Sequence, residues 1–355
     1  MLYYFSSVEY LQLLHKMVSD IIDNVADPAL SVAKHQERDK NLINKRWGKR
    51  DTSENWSNNA WPFLKDLQRS LAQDIAMRPN GDYRKTSVND CLRGIAEYST
   101  DWMTPREEQK LKNTMAVISD YALPHDHTLD SYQNWWDDYE FSAYYKNFAS
   151  KNALIPKFRV RHDIFAATGE VPPRTGVYLA HNDPHATLQF IWTERGGACL
   201  RAAKTFNDIG LAALDEVGRK DLWFDEAKMF NFAMSEKYAS LFQSLLKAGD
   251  QYWASTAPAV VATKAFESAA RTWSLVEIIP NEQEPLDTLD LDCIFHEYTA
   301  QQARGGTFCQ VEGFYFTPSQ AQSRRLFRKG DLLPNIDNTF GETHWQWDIN
   351  QQREA

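Results

Sequence analysis

Apolar residues recur at helical spacing through the first half of the chain. Val8, Leu11, Leu14, Met17 and Ile21 share one helix face, and Ser6 followed by Glu9 predicts a capping box at its start. A second, strongly basic helical stretch is predicted over about 31–47, with Lys34, Arg38, Lys40, Lys45 and Arg46; a third carries Phe63, Leu64, Leu67, Leu71 and Ile75. Asn80-Gly81 marks a turn. Thr104-Pro105-Arg106-Glu107 combines an N-cap, a proline at the first helical position and a capping-box glutamate, so a helix is predicted to begin there and to end before Pro124. A last helix of this half is predicted over about 130–149.

The pattern changes after Pro156. Residues 157–200 read as short strands broken by turns, with apolar runs at 158–160, 176–179 and 188–192 and a turn at Gly196-Gly197. Helical spacing returns at 207–217, with Gly218 as C-cap, then at 225–248 and in the alanine-rich stretch 257–272. The acidic run 281–292 reads as a solvated loop, and 307–348 reads as β again. Gly176, Tyr178 and Phe190 keep the spacing of Gly313, Tyr315 and Phe327, which suits either a duplicated hairpin or two ordinary ones. In both, glycine followed by tyrosine suits a strand entry that puts the ring on the core face. The fold class is therefore α+β: a helical region over 1–155, then a mixed region of short antiparallel strands and helices over 156–355, with β-rich segments at 157–200 and 307–348.

Composition narrows the function. The 355 residues can bury one large or two ordinary cores, and 19 Phe, 15 Tyr and 12 Trp are a heavy aromatic load, most of it core and the remainder available as interface anchors. A net charge of −9 disfavours direct nucleic-acid binding and suits a partner with a basic surface. Cys91, Cys199, Cys293 and Cys309 lie far apart, without zinc spacing, as expected of reduced thiols. Met1 to Val25 shows no basic segment leading into an apolar one, and no apolar run is long enough for a membrane span. The expected compartment is the cytoplasm, with no membrane contact.

No nucleophile elbow, P-loop or dinucleotide fingerprint occurs. His125-Asp126-His127 and the set His181, Asp183 and His185 carry nitrogen and oxygen donors, but both read more simply as histidines near turns. Glu107-Glu108 and Asp137-Asp138 are adjacent pairs that point to different parts of a helix circumference. The basic run from Lys34 to Arg50 is diluted by Glu37, Asp39 and Asp51. No catalytic residue, metal ligand or cofactor is assigned.

Trp135, Trp136, Asp137, Asp138, Tyr139 and Glu140 are the candidate partner-binding residues. Interleaved acids and rings can steer a basic partner and then anchor it; the simpler alternative is that the rings pack inward while the acids stay hydrated. The acidic run around Glu282, Glu284, Asp287, Asp290 and Asp292 is a second candidate.

The stretch Pro172-Pro173-Arg174-Thr175-Gly176-Val177-Tyr178, continuing through Asp183-Pro184-His185 to Gln189-Phe190-Ile191-Trp192-Thr193, resembles the Imm71/Imm72-type immunity proteins of bacterial polymorphic toxin systems. Residues 205–211 and the stretch from Gly313-Phe314-Tyr315 to Trp345-Gln346-Trp347 resemble the same source; the similarity covers chiefly 157–348. The resemblance implies a non-enzymatic protein that neutralises a cognate toxin by direct stoichiometric binding. The alternatives are a hydrolase or metal-dependent enzyme with an unfamiliar site, or an adaptor that loads a secreted effector.

Overall fold

The computed structural model describes residues 1–130, 135–149, 154–195, 197–246, 251–286, 302–310, 312–317, 320, 323–336 and 343–347. The fold is α+β, with helices leading and antiparallel sheets following.

Helix α1 (Leu2–Phe5) ends at Ser6, so the cap of α2 (Val8–Ile21) falls on Ser7, whose hydroxyl accepts the Tyr10 N–H at 3.1 Å. The predicted cap at Ser6 is one residue early because Ser6 closes the preceding turn. A wide turn over Ile22–Ala26 leads into α3 (Asp27–His35). The basic helix predicted over 31–47 stops at His35: Glu37 turns left-handed, and only a short 3-10 turn, Arg38–Asn41, follows. Past His35 the apolar spacing fails, and Asn44 and Gly48 favour a turn.

Helices α4 (Ser53–Asn59), α5 (Trp61–Met77), α6 (Val88–Ala96) and α7 (Pro105–Thr128) complete a bundle around Leu14, Trp56, Leu67, Trp102 and Ile118. Thr104 and Glu107 form the predicted capping box. However, α7 runs through Pro124 instead of ending before it. Its last turn is buried, and Thr128 Oγ1 returns a hydrogen bond to the Pro124 carbonyl at 2.7 Å, so packing outweighs the lost backbone bond. The last helix of this half, α8 (Asp138–Ala149), starts later than predicted because Asp137 caps it, Oδ1 accepting the Glu140 N–H at 2.9 Å.

A four-stranded antiparallel sheet follows: β1 (Leu154–Ala167), β2 (Gly176–Ala180), β3 (Gln189–Ile191) and β6 (Thr272–Pro285), in the order β1-β6-β2-β3. Its core draws on the helical half: Leu2, Phe5, Leu129 and Trp136 pack with Tyr178, Ile191 and Trp273. Tyr3 fastens α1 to the sheet, its hydroxyl accepting the Val177 N–H (3.1 Å) and donating to the Val276 carbonyl (2.6 Å). The part of the predicted acidic loop over 281–285 belongs to β6; residues 287–292 lie outside the described residues.

Between β3 and β6 the chain inserts a helical unit with its own core around Trp223, Met229, Phe232 and Val261. It enters on β4 (Ala203–Phe206) and leaves on β5 (Phe266–Ala269), which pair antiparallel, Ala203 opposite Ala269. Between them lie α9 (Asp208–Val217), α10 (Glu226–Ala233), α11 (Ala239–Phe242) and α12 (Gln251–Ala265). Asn207 caps α9, and Gly218 ends it at φ +84°. The helix predicted over 225–248 is broken after Ala233, and the one predicted over 257–272 gives way to strand at Phe266, where Phe206 and Phe266 stack across the neck.

The second sheet holds β7 (Gln302–Arg304), β8 (Gly313–Phe316), β9 (Arg325–Phe327) and β10 (His344–Trp347), in the order β7-β10-β8-β9. Each sheet thus sets its first strand beside its fourth and its second beside its third. Ala166 and Ala303, Gly169 and Gly306, Gly176 and Gly313, and Tyr178 and Tyr315 are all separated by the same number of residues. Trp273 faces Ala166, and Trp345 faces Ala303; both tryptophans are fully buried. The Gly169 N–H donates to Leu200 as the Gly306 N–H donates to Leu333, at 2.7 and 2.6 Å, and both glycines are left-handed. Leu200 donates to Glu170 as Leu333 donates to Thr307, at 2.9 Å in each case.

The second sheet therefore repeats the first, and the match extends well beyond the hairpin. Tyr178 and Tyr315 are buried, as the Gly-x-Tyr spacing predicts. The registers differ by one residue: Gly176 lies opposite Ile191, but Gly313 lies opposite Phe327. Phe190 consequently faces Tyr3 and Tyr83, whereas Phe327 joins Tyr315 and Trp345 on the other face.

Candidate partner-binding surface

Residues 135–137 belong to neither helix nor strand, and their side chains go to different places. Trp135 points outward at 38 % exposure. Its indole N–H donates to Asp130 Oδ2 (3.0 Å), and its ring stacks on His127 with centroids 4.6 Å apart. Asp130 is held in turn by Lys85 at 3.0 Å and, through its carbonyl, by Arg201. Burial pushes the His127 pKa down, which keeps that ring neutral against the indole.

Trp136 points inward, stacking on Phe5 and Phe141 (5.8 and 4.9 Å) and donating to Thr128 Oγ1 at 3.2 Å. Asp137 is occupied as the α8 cap, with Lys204 at 3.7 Å. Asp138 takes both guanidinium nitrogens of Arg219 (2.6 and 2.7 Å) and the Trp223 indole N–H (2.7 Å). This largely buried clamp fastens α8 to the helical insertion; removing one charge of such a pair costs about 3 kcal/mol. Tyr139 packs edge-on against Trp223. Burial raises the pKa of Glu140, with Asp137 adding repulsion.

The structure therefore does not bring the six side chains onto one face. Trp135 is the exposed ring, while Trp136, Asp137, Asp138 and Tyr139 hold the α8 seam together. Sequence reasoning missed the residues that orient Trp135. Lys85 and Arg201 are distant in sequence and carry no local signal.

The two histidine-rich sets are also spent on internal contacts. His125 is fully buried, donates from Nδ1 to the Phe5 carbonyl at 2.6 Å, and is pushed down to about 4 by burial. Asp126 accepts the Thr86 N–H and hydroxyl (2.6 and 2.8 Å), and burial raises it to about 6. His181 bonds Ser274 Oγ, Asp183 pairs with Arg271 and accepts the Thr205 hydroxyl, and His185 stacks on Phe206. Among the described residues no group of three His, Cys, Asp or Glu side chains is placed to hold a metal ion. No helix among them is long and apolar enough to cross a membrane.

No family model, curated protein or solved structure matches this chain.

Proposed function

We propose that this chain is an immunity protein that neutralises a cognate bacterial toxin in the cytoplasm by direct stoichiometric binding. The observation that carries this reading is the mounting of Trp135, a large ring held outward and fixed by Asp130 and His127. A pre-oriented exposed tryptophan loses little freedom on binding, which is what makes an aromatic side chain an effective anchor. The net charge of −9 suits a toxin with a basic surface, since opposite fields speed encounter. The resemblance at residues 172–193 and 313–347 supports the same reading.

The test is co-expression with the product of the adjacent reading frame. Toxicity suppressed by this chain, together with a one-to-one complex weakened about tenfold or more by Trp135→Ala at an unchanged circular dichroism spectrum, is the expected result. A neighbour that is harmless alone overturns the reading. Binding of a neighbour without rescue points instead to an effector-loading adaptor.

A further inference from the structure

Between α3 and α4 the chain builds a tight turn. Asn44 and Gly48 exchange both backbone hydrogen bonds (3.1 and 2.8 Å), Gly48 is left-handed, and Asn44 Oδ1 accepts the N–H groups of Arg46 and Trp47 at 2.7 and 3.3 Å. Its leading end is tied to the bundle, with Arg38 paired to Glu107 at 2.7 Å and Asp39 accepting the Ser53 N–H and hydroxyl, both at 2.8 Å. From this frame Trp47 stands 55 % exposed, with Ile43 exposed nearby. The guanidinium carbons of Arg46 and Arg50 lie 4.8 and 5.3 Å from its ring centroid.

Core packing does not explain Trp47, because it joins none of the hydrophobic clusters among the described residues. Trp and Arg are the side chains that dominate contact energy at protein interfaces. A guanidinium lying over a ring keeps its in-plane N–H donors free, and those donors match carboxylates two at a time. Lys45, Arg46 and Arg50 form no ion pair among the described residues, whereas Lys49 is held by Glu54 at 2.7 Å. The charge is thus local: a positive, aromatic tip on a protein of net charge −9.

We propose that the 44–50 turn is a docking element for an acidic protein surface, placing Trp47 in an apolar slot rimmed by carboxylates. The contact is opposite in charge to the one proposed at Trp135 and does not depend on it. A nucleic acid is the weaker fit, since its affinity grows with the number of phosphates neutralised and Glu37, Asp39, Asp51 and Glu54 lie close in sequence to the few cations available.

The test follows the indole N–H resonance of Trp47, assigned by its loss in Trp47→Phe, during titration with a peptide of alternating glutamate and leucine. The peptide should move that resonance, and Arg46→Glu with Arg50→Glu should weaken the response at least fivefold while leaving the other indole signals in place. A resonance that the peptide leaves unmoved overturns the proposal. Tighter binding of a single-stranded oligonucleotide or of anionic phospholipid vesicles than of the peptide overturns it as well.

Discussion

The two sheets share a strand order, a buried tryptophan opposite an alanine and a left-handed glycine at the same place, yet they are finished differently. The first is covered by α1 and Tyr83 and carries a helical unit between its third and fourth strands. In the second, the same passage from Leu333 to Thr343 takes only residues 334–342, and arginines lie over its rings, Arg325 4.5 Å from Trp345 and Arg324 4.1 Å from Phe314. The positions common to both are those that build the sheet, while the third connection and the cover differ between the two.

The strongest test of that equivalence is to empty the matched core positions. Trp273→Ala and Trp345→Ala should each cost about 3–5 kcal/mol, as expected for a fully buried tryptophan. In urea unfolding, Trp273→Ala should lower the main transition, and Trp345→Ala should act on the second sheet. A Trp345→Ala variant with unchanged stability would break the comparison.

The helical half is tested through Asp74, buried on α5 and raised to about 6, chiefly by burial. Its folded pKa lies above the unfolded value, so the ionised carboxylate costs stability above pH 6, and the cost fades as pH falls towards 4. Asp74→Asn should therefore stabilise the protein at pH 7 by about 1–2 kcal/mol and have little effect near pH 4. Urea midpoints at the two pH values check this, and the second sheet should not respond.

The smallest expected effect sharpens the match at the turns. Gly169→Ala and Gly306→Ala should each cost about 1–2 kcal/mol, because both glycines have φ near +90°. The loss should be larger at Gly306, where an added Cβ meets Asn335 Nδ2 at 3.0 Å, than at Gly169, where it meets open space. Thermal unfolding of the two variants measures the difference.

What the sequence made legible was local. The Thr104–Glu107 box, the Gly218 C-cap and the Gly-x-Tyr strand entries each rest on residues within a few positions of one another, so spacing alone revealed them. The course of α7 through Pro124 was hidden because buried packing outweighed a local rule. The division between Trp135 and Trp136 was hidden because it depends on partners distant in sequence, chiefly Phe5 for Trp136, against His127 and Asp130 for Trp135. Asp138 looked like a surface acid because its partners, Arg219 and Trp223, lie far along the chain and arrive with the insertion. That same insertion masked the repeat: Ala166 and Gly169 keep step with Ala303 and Gly306, but Trp273 and Trp345 do not.

The β4–β5 neck carries a consequence for how such a protein can change. Residues facing each other in an antiparallel pair stand about 5 Å apart, so a segment spliced between Ala203 and Ala269 need only bring its own ends together. The entropy of closing a connection grows slowly with its length, and a folded insert closes it in advance. Recombination at this position can exchange one helical module for another and leave the sheet's wiring intact, provided the replacement again supplies partners for Asp138, which Arg219 and Trp223 now hold.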